Sequence, residues 1–120
     1  MSNILVERNF DPPMTRKKLL AAARNGSDCF DRHRVQWQQS FLAADGHRLL
    51  CHFEAPDAES ARLAFRQAGA VQFMLWPFTP HVIRNECTAN IIVERHFDTP
   101  QQLNDIQMQE EEAAHYLQLH

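Results

Sequence analysis

Glu7, His52 and Glu54 are the residues whose types and spacing suit chemistry best. A carboxylate, an imidazole and a second carboxylate match the donor preferences of nickel, zinc or iron in the divalent state. His52 and Glu54 lie two apart, which puts both on one face of a strand. The cluster closes only if Glu7 falls on the same face of a neighbouring strand. Cys51 offers a fourth donor, a thiolate, but it alternates to the face opposite His52 and reads as a small buried apolar residue. That geometry also argues against a Cys51–His52 catalytic pair. Glu7 has a bland alternative role, a structural hydrogen bond to Ser40 or Trp37 across the sheet. A second candidate set is aromatic. Trp37, Phe41, Phe73 and Trp76, with Ser40 beside them, suit the lining of an apolar pocket closed by two sheets. His47 and His81 sit at turns, where solvent takes them. His115 and His120, five apart, are poorly placed to share a metal on one helix face.

Four strands and two helices must position these groups. Asn3–Phe10 is apolar and β-branched at its start and reads as a strand, stopped by Asp11-Pro12-Pro13. Thr15 caps a helix running to about Asp31, with Leu19, Leu20, Ala23, Ser27 and Phe30 as its stripe. Gly26 weakens that helix by up to about 1 kcal/mol. Arg34–Ala44 follows as a strand in which Val35, Trp37, Gln39 and Phe41 share one face. Asp45-Gly46 predicts a type I′ hairpin turn. The return strand is His47–Ala55, with Leu49, Cys51 and Phe53 on one side and Arg48, Leu50, His52 and Glu54 on the other. Asp57 caps a second helix with Ala58, Ala61, Phe65 and Ala68 inward, ending at Gly69. Val71–Phe78, broken by Pro77 and Pro80, suits an edge strand. The order β-α-β-β-α-β predicts an α+β sandwich, ferredoxin-like, with two helices on one face of a four-stranded antiparallel sheet.

The chain has 120 residues, 44% hydrophobic, with 3 Gly and 6 Pro, which suits one ordered domain. Its net charge of −3 leaves no electrostatic footprint for nucleic acid; Arg16-Lys17-Lys18 is the only basic run and reads as a solvated helix face. No signal peptide or membrane span is legible. Cys29, Cys51 and Cys87 form no CxxC pair, so a reduced, cytoplasmic protein is expected.

The first strand is then repeated. Asn3-Ile4-Leu5-Val6-Glu7-Arg8-Asn9-Phe10-Asp11 faces Asn90-Ile91-Ile92-Val93-Glu94-Arg95-His96-Phe97-Asp98, and Pro13 faces Pro100, a constant offset without gaps. Glu94 and His96 are therefore the second-copy equivalents of Glu7 and Asn9. The expected organisation is a domain over residues 1–80. A connector and a partial second copy fill 81–120, with a strand at about 90–97 and a helix at about 101–119. A lone strand and helix cannot bury both apolar faces, so the copy is expected to dock on this sheet or on that of a partner chain. The first helix carries Arg16, Lys17, Lys18, Arg24 and Arg32, whereas the second would carry Asp105, Glu110, Glu111 and Glu112. Opposite charge on the duplicated helices favours their lying near each other, within or between chains.

Val6-Glu7-Arg8 with Phe10, Val35-x-Trp37-x-x-Ser40, Asp45-Gly46-x-Arg48 and Cys51-x-Phe53-Glu54-Ala55-Pro56-Asp57-Ala58-Glu59, followed by Arg62 and Ala68-Gly69, resemble the domain-of-unknown-function family 4242, the nickel-binding ferredoxin-like family. The resemblance covers roughly residues 3–80, and Val93-Glu94-Arg95-x-Phe97-Asp98-x-Pro100 looks like the start of another member. It implies a ferredoxin-like fold, dimers and, in at least one branch, a bound nickel ion, with no established reaction. The chain departs from that branch where extra histidines are associated with the first strand and the end of the second helix. Asn9 and Ala70-Val71 stand there, and only His96 restores a histidine.

Three functions compete. One is a metal-binding or metal-responsive protein holding nickel or zinc on the open sheet face through Glu7, His52 and Glu54. Another is a cofactor-free enzyme or small-molecule binder of the dimeric α/β-barrel type. The last is an assembly module, a homodimer or higher homo-oligomer, using the spare strand and helix.

Overall fold

Alternation builds the sheet. In β1 (Ser2–Asn9), Ile4 and Val6 are fully buried; in β3 (Arg48–Ala55), Leu49, Cys51, Phe53 and Ala55 are buried in strict alternation with half-exposed neighbours. The two strands pair antiparallel over their whole length, so their apolar sets fall on one side. β2 (Gln36–Leu42) pairs with β3, and the short β4 (Met74–Pro77) pairs with β1, which gives the order β2-β3-β1-β4. The helices α1 (Arg16–Arg32) and α2 (Ala58–Gln67) complete a small α+β unit. These elements belong to a computed structural model that describes residues 1–81 and 91–100.

The core joins Ile4, Val6, Val35, Leu49, Cys51, Phe53 and Ala55 of the sheet side to Ala61, Ala64 and Phe65 of α2. Phe65 stands at its centre, with ring centroids 5.1 Å from both Phe30 and Phe53 and 5.5 Å from Phe73. Tilted and edge-on pairs of this kind add about 0.5–1.5 kcal/mol each beyond area burial. Thr15 caps α1 as expected, accepting the Lys18 N–H at 3.2 Å. Asp57 caps α2, accepting the Ser60 N–H at 2.7 Å, and that bond holds its carboxyl below the usual carboxylate range. Gly26 is the one buried residue of α1; a Cβ there would meet the Ala68 Cβ at 3.3 Å. The glycine that weakens the helix is thus the point where it closes on the residue capping α2.

Several expected boundaries move. The fourth strand covers only Met74–Pro77 of the expected 71–78, at the sheet edge. The loop between β2 and β3 is no two-residue type I′ turn. It spans residues 43–47, Gly46 closes a turn by donating to the Ala43 carbonyl at 2.8 Å, and φ at Gly46 is +77°. The Met14 N–H donates to the Gly46 carbonyl at 2.8 Å, and Phe10 N–H to the His47 carbonyl at 2.7 Å. The loop is therefore stitched to the chain leaving β1.

The chain divides into two units, Met1–Ile83 and Arg84–His120. In the second, residues 91–97 form no strand, and Ile91, Ile92 and Val93 are exposed. Apolar alternation makes a segment fit for a sheet; it does not supply the neighbouring strand that a ladder requires. The expected helix at about 101–119, most of the connector, Cys87, Asn90, His115 and His120 lie outside the described residues. No helix among the described residues is long and apolar enough to cross a membrane.

A Cβ at Gly46 would lie 2.5 Å from the Met14 carbonyl oxygen and 2.9 Å from the Pro13 Cβ. Gly46→Ala therefore meets both a left-handed φ and a backbone collision. It should lower stability by at least about 1–3 kcal/mol, read as an earlier urea midpoint with an unchanged slope.

Candidate functional site

The β1–β3 register sets Asn3 opposite Glu54, Leu5 opposite His52 and Glu7 opposite Leu50. Glu7, His52 and Glu54 accordingly share the sheet face that the helices leave open, as the candidate cluster required. They do not converge. The Glu7 carboxylate, on a residue only 8% exposed, accepts from the Arg48 guanidinium rather than from Ser40 or Trp37. His52 lies 2.9 Å, Nε2 to Oδ1, from the Asn3 amide, and its ring meets Phe78 edge-on at 4.8 Å. Among the described residues no three His, Cys, Asp or Glu side chains come together to hold a metal.

His52 nevertheless has the set-up of a ligand. If the Asn3 amide oxygen accepts from Nε2–H, the tautomer is fixed and the Nδ1 lone pair is left for a cation. Glu54 supplies a carboxylate two residues along the same face. Apolar side chains stand among the polar ones on this face: Phe41 opposite Leu50, Trp76 opposite Leu5 and Met74 opposite Glu7. Phe41 is 37% exposed and Met74 60%.

The aromatic set is divided between the two faces. Strict alternation put Trp37 and Phe41 together, but the β2–β3 register shifts between Trp37 and Gln39. That irregularity turns Trp37, opposite Phe53, and Ser40, opposite Cys51, toward the helices, while Phe41 and Trp76 stay on the open side. There the Trp37 indole N–H donates to the Ser40 hydroxyl at 2.6 Å, and that hydroxyl donates to the Cys51 sulfur at 2.9 Å. Cys51 is buried on the face opposite His52, away from the open-face donors. Burial raises the thiol above its ordinary value, only partly offset by the Ser40 hydroxyl and the positive charge of Arg8. In the second unit Glu94 and His96 lie 3.0 Å apart, and Arg95 stands over the Phe97 ring at 5.1 Å.

Three contributing residues escaped sequence reasoning: Asn3, Arg48 and Arg8. Asn3 and Arg48 matter through the cross-strand neighbours His52 and Glu7, which no local spacing announces, and Arg8 through Cys51 of the adjacent strand and the Phe10 ring two residues along.

Because the folded-state thiol is raised, Cys51 adds stability that is full below the ordinary thiol value and is lost as the pH rises through and above it. At pH 8 native Cys51 should react with iodoacetamide far more slowly than half-buried Cys29. Peptide mapping of the alkylated protein would read the two rates; equal rates would contradict the neutral, buried thiol.

The profile of a family described as nickel-responsive protein SCO4226-like matches residues 5–73. The chain is also similar in structure to the crystal structure of SCO4226 from Streptomyces coelicolor A3(2), with a TM-score of 0.54 at 17% sequence identity, covering 66% of this chain and 100% of that one. At that identity the likeness concerns the fold. No curated protein matches the chain.

Proposed function

The chain belongs to the SCO4226-like nickel-responsive protein family, and from that premise we propose that it binds nickel at a site completed between two copies of the chain. The family match carries the nickel association of the resemblance seen in the sequence, not its family-4242 label. The observation behind the proposal is that one open sheet face offers half a site. His52 is braced by Asn3 and Glu54 lies on the same face, while Glu7 is engaged by Arg48 and Cys51 faces the other way. Imidazole and carboxylate oxygen suit nickel, and two copies related by a two-fold axis would present two of each. Bound there, nickel would serve as the ligand to which the protein responds.

The same face gives the pairing a driving force. Phe41, Leu50, Leu5, Trp76 and Met74 form an apolar surface, which a second sheet would cover. The strand order supports reading the fold as ferredoxin-like, and face-to-face packing of two such sheets as the assembly. The partial second copy adds a further assembly element if Ile91, Ile92 and Val93, exposed here, extend a sheet edge of the partner. Cys29 and Cys51 are unpaired thiols, in keeping with a cytoplasmic setting.

Calorimetry of tag-free protein with nickel chloride should show binding at micromolar concentrations or tighter, with one ion per two chains. Asn3→Leu should weaken it by about 10–100-fold, as loss of a ligand's bracing partner does, and His52→Ala by more. Zinc in place of nickel tests the preference. Absence of binding at micromolar nickel, or binding unaffected by His52→Ala, would overturn the proposal.

A further inference from the structure

A cavity of about 270 Å³ lies between α1 and the helix-covered face of the sheet. Arg8, Trp37, Leu49, Cys51 and Phe53 line it from the sheet side. From α1, Ala22, Ala23 and Gly26 line it beside Leu19 and Phe30, and their small side chains leave the gap open.

Arg8 is the anomaly in this cavity. It lies on the face of β1 that carries Ile4 and Val6, where a central strand normally presents an apolar residue. Its Nε is buried with no hydrogen-bond partner. Its guanidinium stands 4.9 Å from the centroid of the Phe10 ring, an aromatic face that attracts the cation but supplies no acceptor along the N–H. The guanidinium keeps its proton in proteins, so a buried N–H without an acceptor is a standing cost. Burial accordingly lowers the Arg8 pKa, and the only influence raising it is the nearby Cys51. Cys51, held as a neutral thiol, cannot serve as the counter-charge. Asp31 also lines the cavity, but no ion pair joins it to Arg8 among the described residues.

We propose that this cavity binds a small organic monocarboxylate, its carboxylate on the Arg8 guanidinium and its apolar body against Leu49, Phe53, Phe30 and Trp37. A planar carboxylate matches the guanidinium fork and supplies the missing acceptor. A neutral ligand would leave that donor unmet. A phosphate dianion would bring a second charge with no second cation to meet it, between walls that are mainly apolar. The site lies on the opposite side of the sheet from His52 and Glu54, so it stands or falls independently of nickel.

The test titrates sodium octanoate and, separately, 1-octanol into full-length protein carrying Trp76→Phe, in EDTA. Trp37, which lines the cavity, is then the sole indole reporter. Octanoate should bind saturably and quench or shift Trp37 emission, with octanol weaker by about tenfold or more, as expected for loss of a charge-assisted pair of about 1.4 kcal/mol or more. Arg8→Met should abolish the preference for the acid. Ala23→Leu, which fills the cavity, should weaken both ligands, with circular dichroism confirming that each variant is folded. The comparison of acid with alcohol, repeated by calorimetry on the unsubstituted protein, decides the matter even if a variant fails to fold. Equal affinity for acid and alcohol, no binding of either, or an acid preference that survives Arg8→Met would each overturn the proposal.

Discussion

The antiparallel pairing of β1 with β3 is the constraint on which the rest depends. These strands occupy the centre of the sheet and pair from Ser2–Ala55 to Asn9–Arg48 without a break. Side chains alternate with a period of two, so this register assigns every residue of both strands to a face, and a slip by one would exchange all of them. Ile4, Val6, Leu49, Cys51 and Phe53 go beneath the helices. Asn3, Glu7, His52 and Glu54 go to the open side. The donors for a metal and the thiol are thereby separated by the thickness of the sheet, and neither can borrow from the other.

Much of this was legible in the sequence because it is local. The caps Thr15 and Asp57, both helices, the faces of β1 and β3 and the turn glycine at position 46 follow from short-range rules that tertiary contacts reinforced. What was not legible is relational. The β2 irregularity between Trp37 and Gln39 depends on its partner strand, and it sends Trp37 and Phe41 to opposite faces. The engagement of Glu7 by Arg48 and of His52 by Asn3 depends on which residues stand across from one another. In the second unit the apolar pattern at Ile91, Ile92 and Val93 read as a strand docked on this sheet or a partner's; residues 91–97 form no strand within the described residues.

The sheet thus has two sides with different chemistry. On the covered side, the small residues of α1 leave space against an arginine whose Nε has no acceptor. Natural cores seldom keep such a group without a use for it. On the open side lie an imidazole beside the Asn3 amide, a carboxylate two residues along and the apolar side chains Leu5, Phe41 and Trp76. The proposed nickel site on that face draws on the family's nickel association.

Nickel K-edge X-ray absorption of the loaded, tag-free protein tests the separation of the two faces most directly. The expected coordination shell is of nitrogen and oxygen only, with the outer-shell scattering of imidazole, because His52 and Glu54 share the open face and Cys51 does not. A sulfur ligand in that shell, lost on Cys51→Ser, would contradict it.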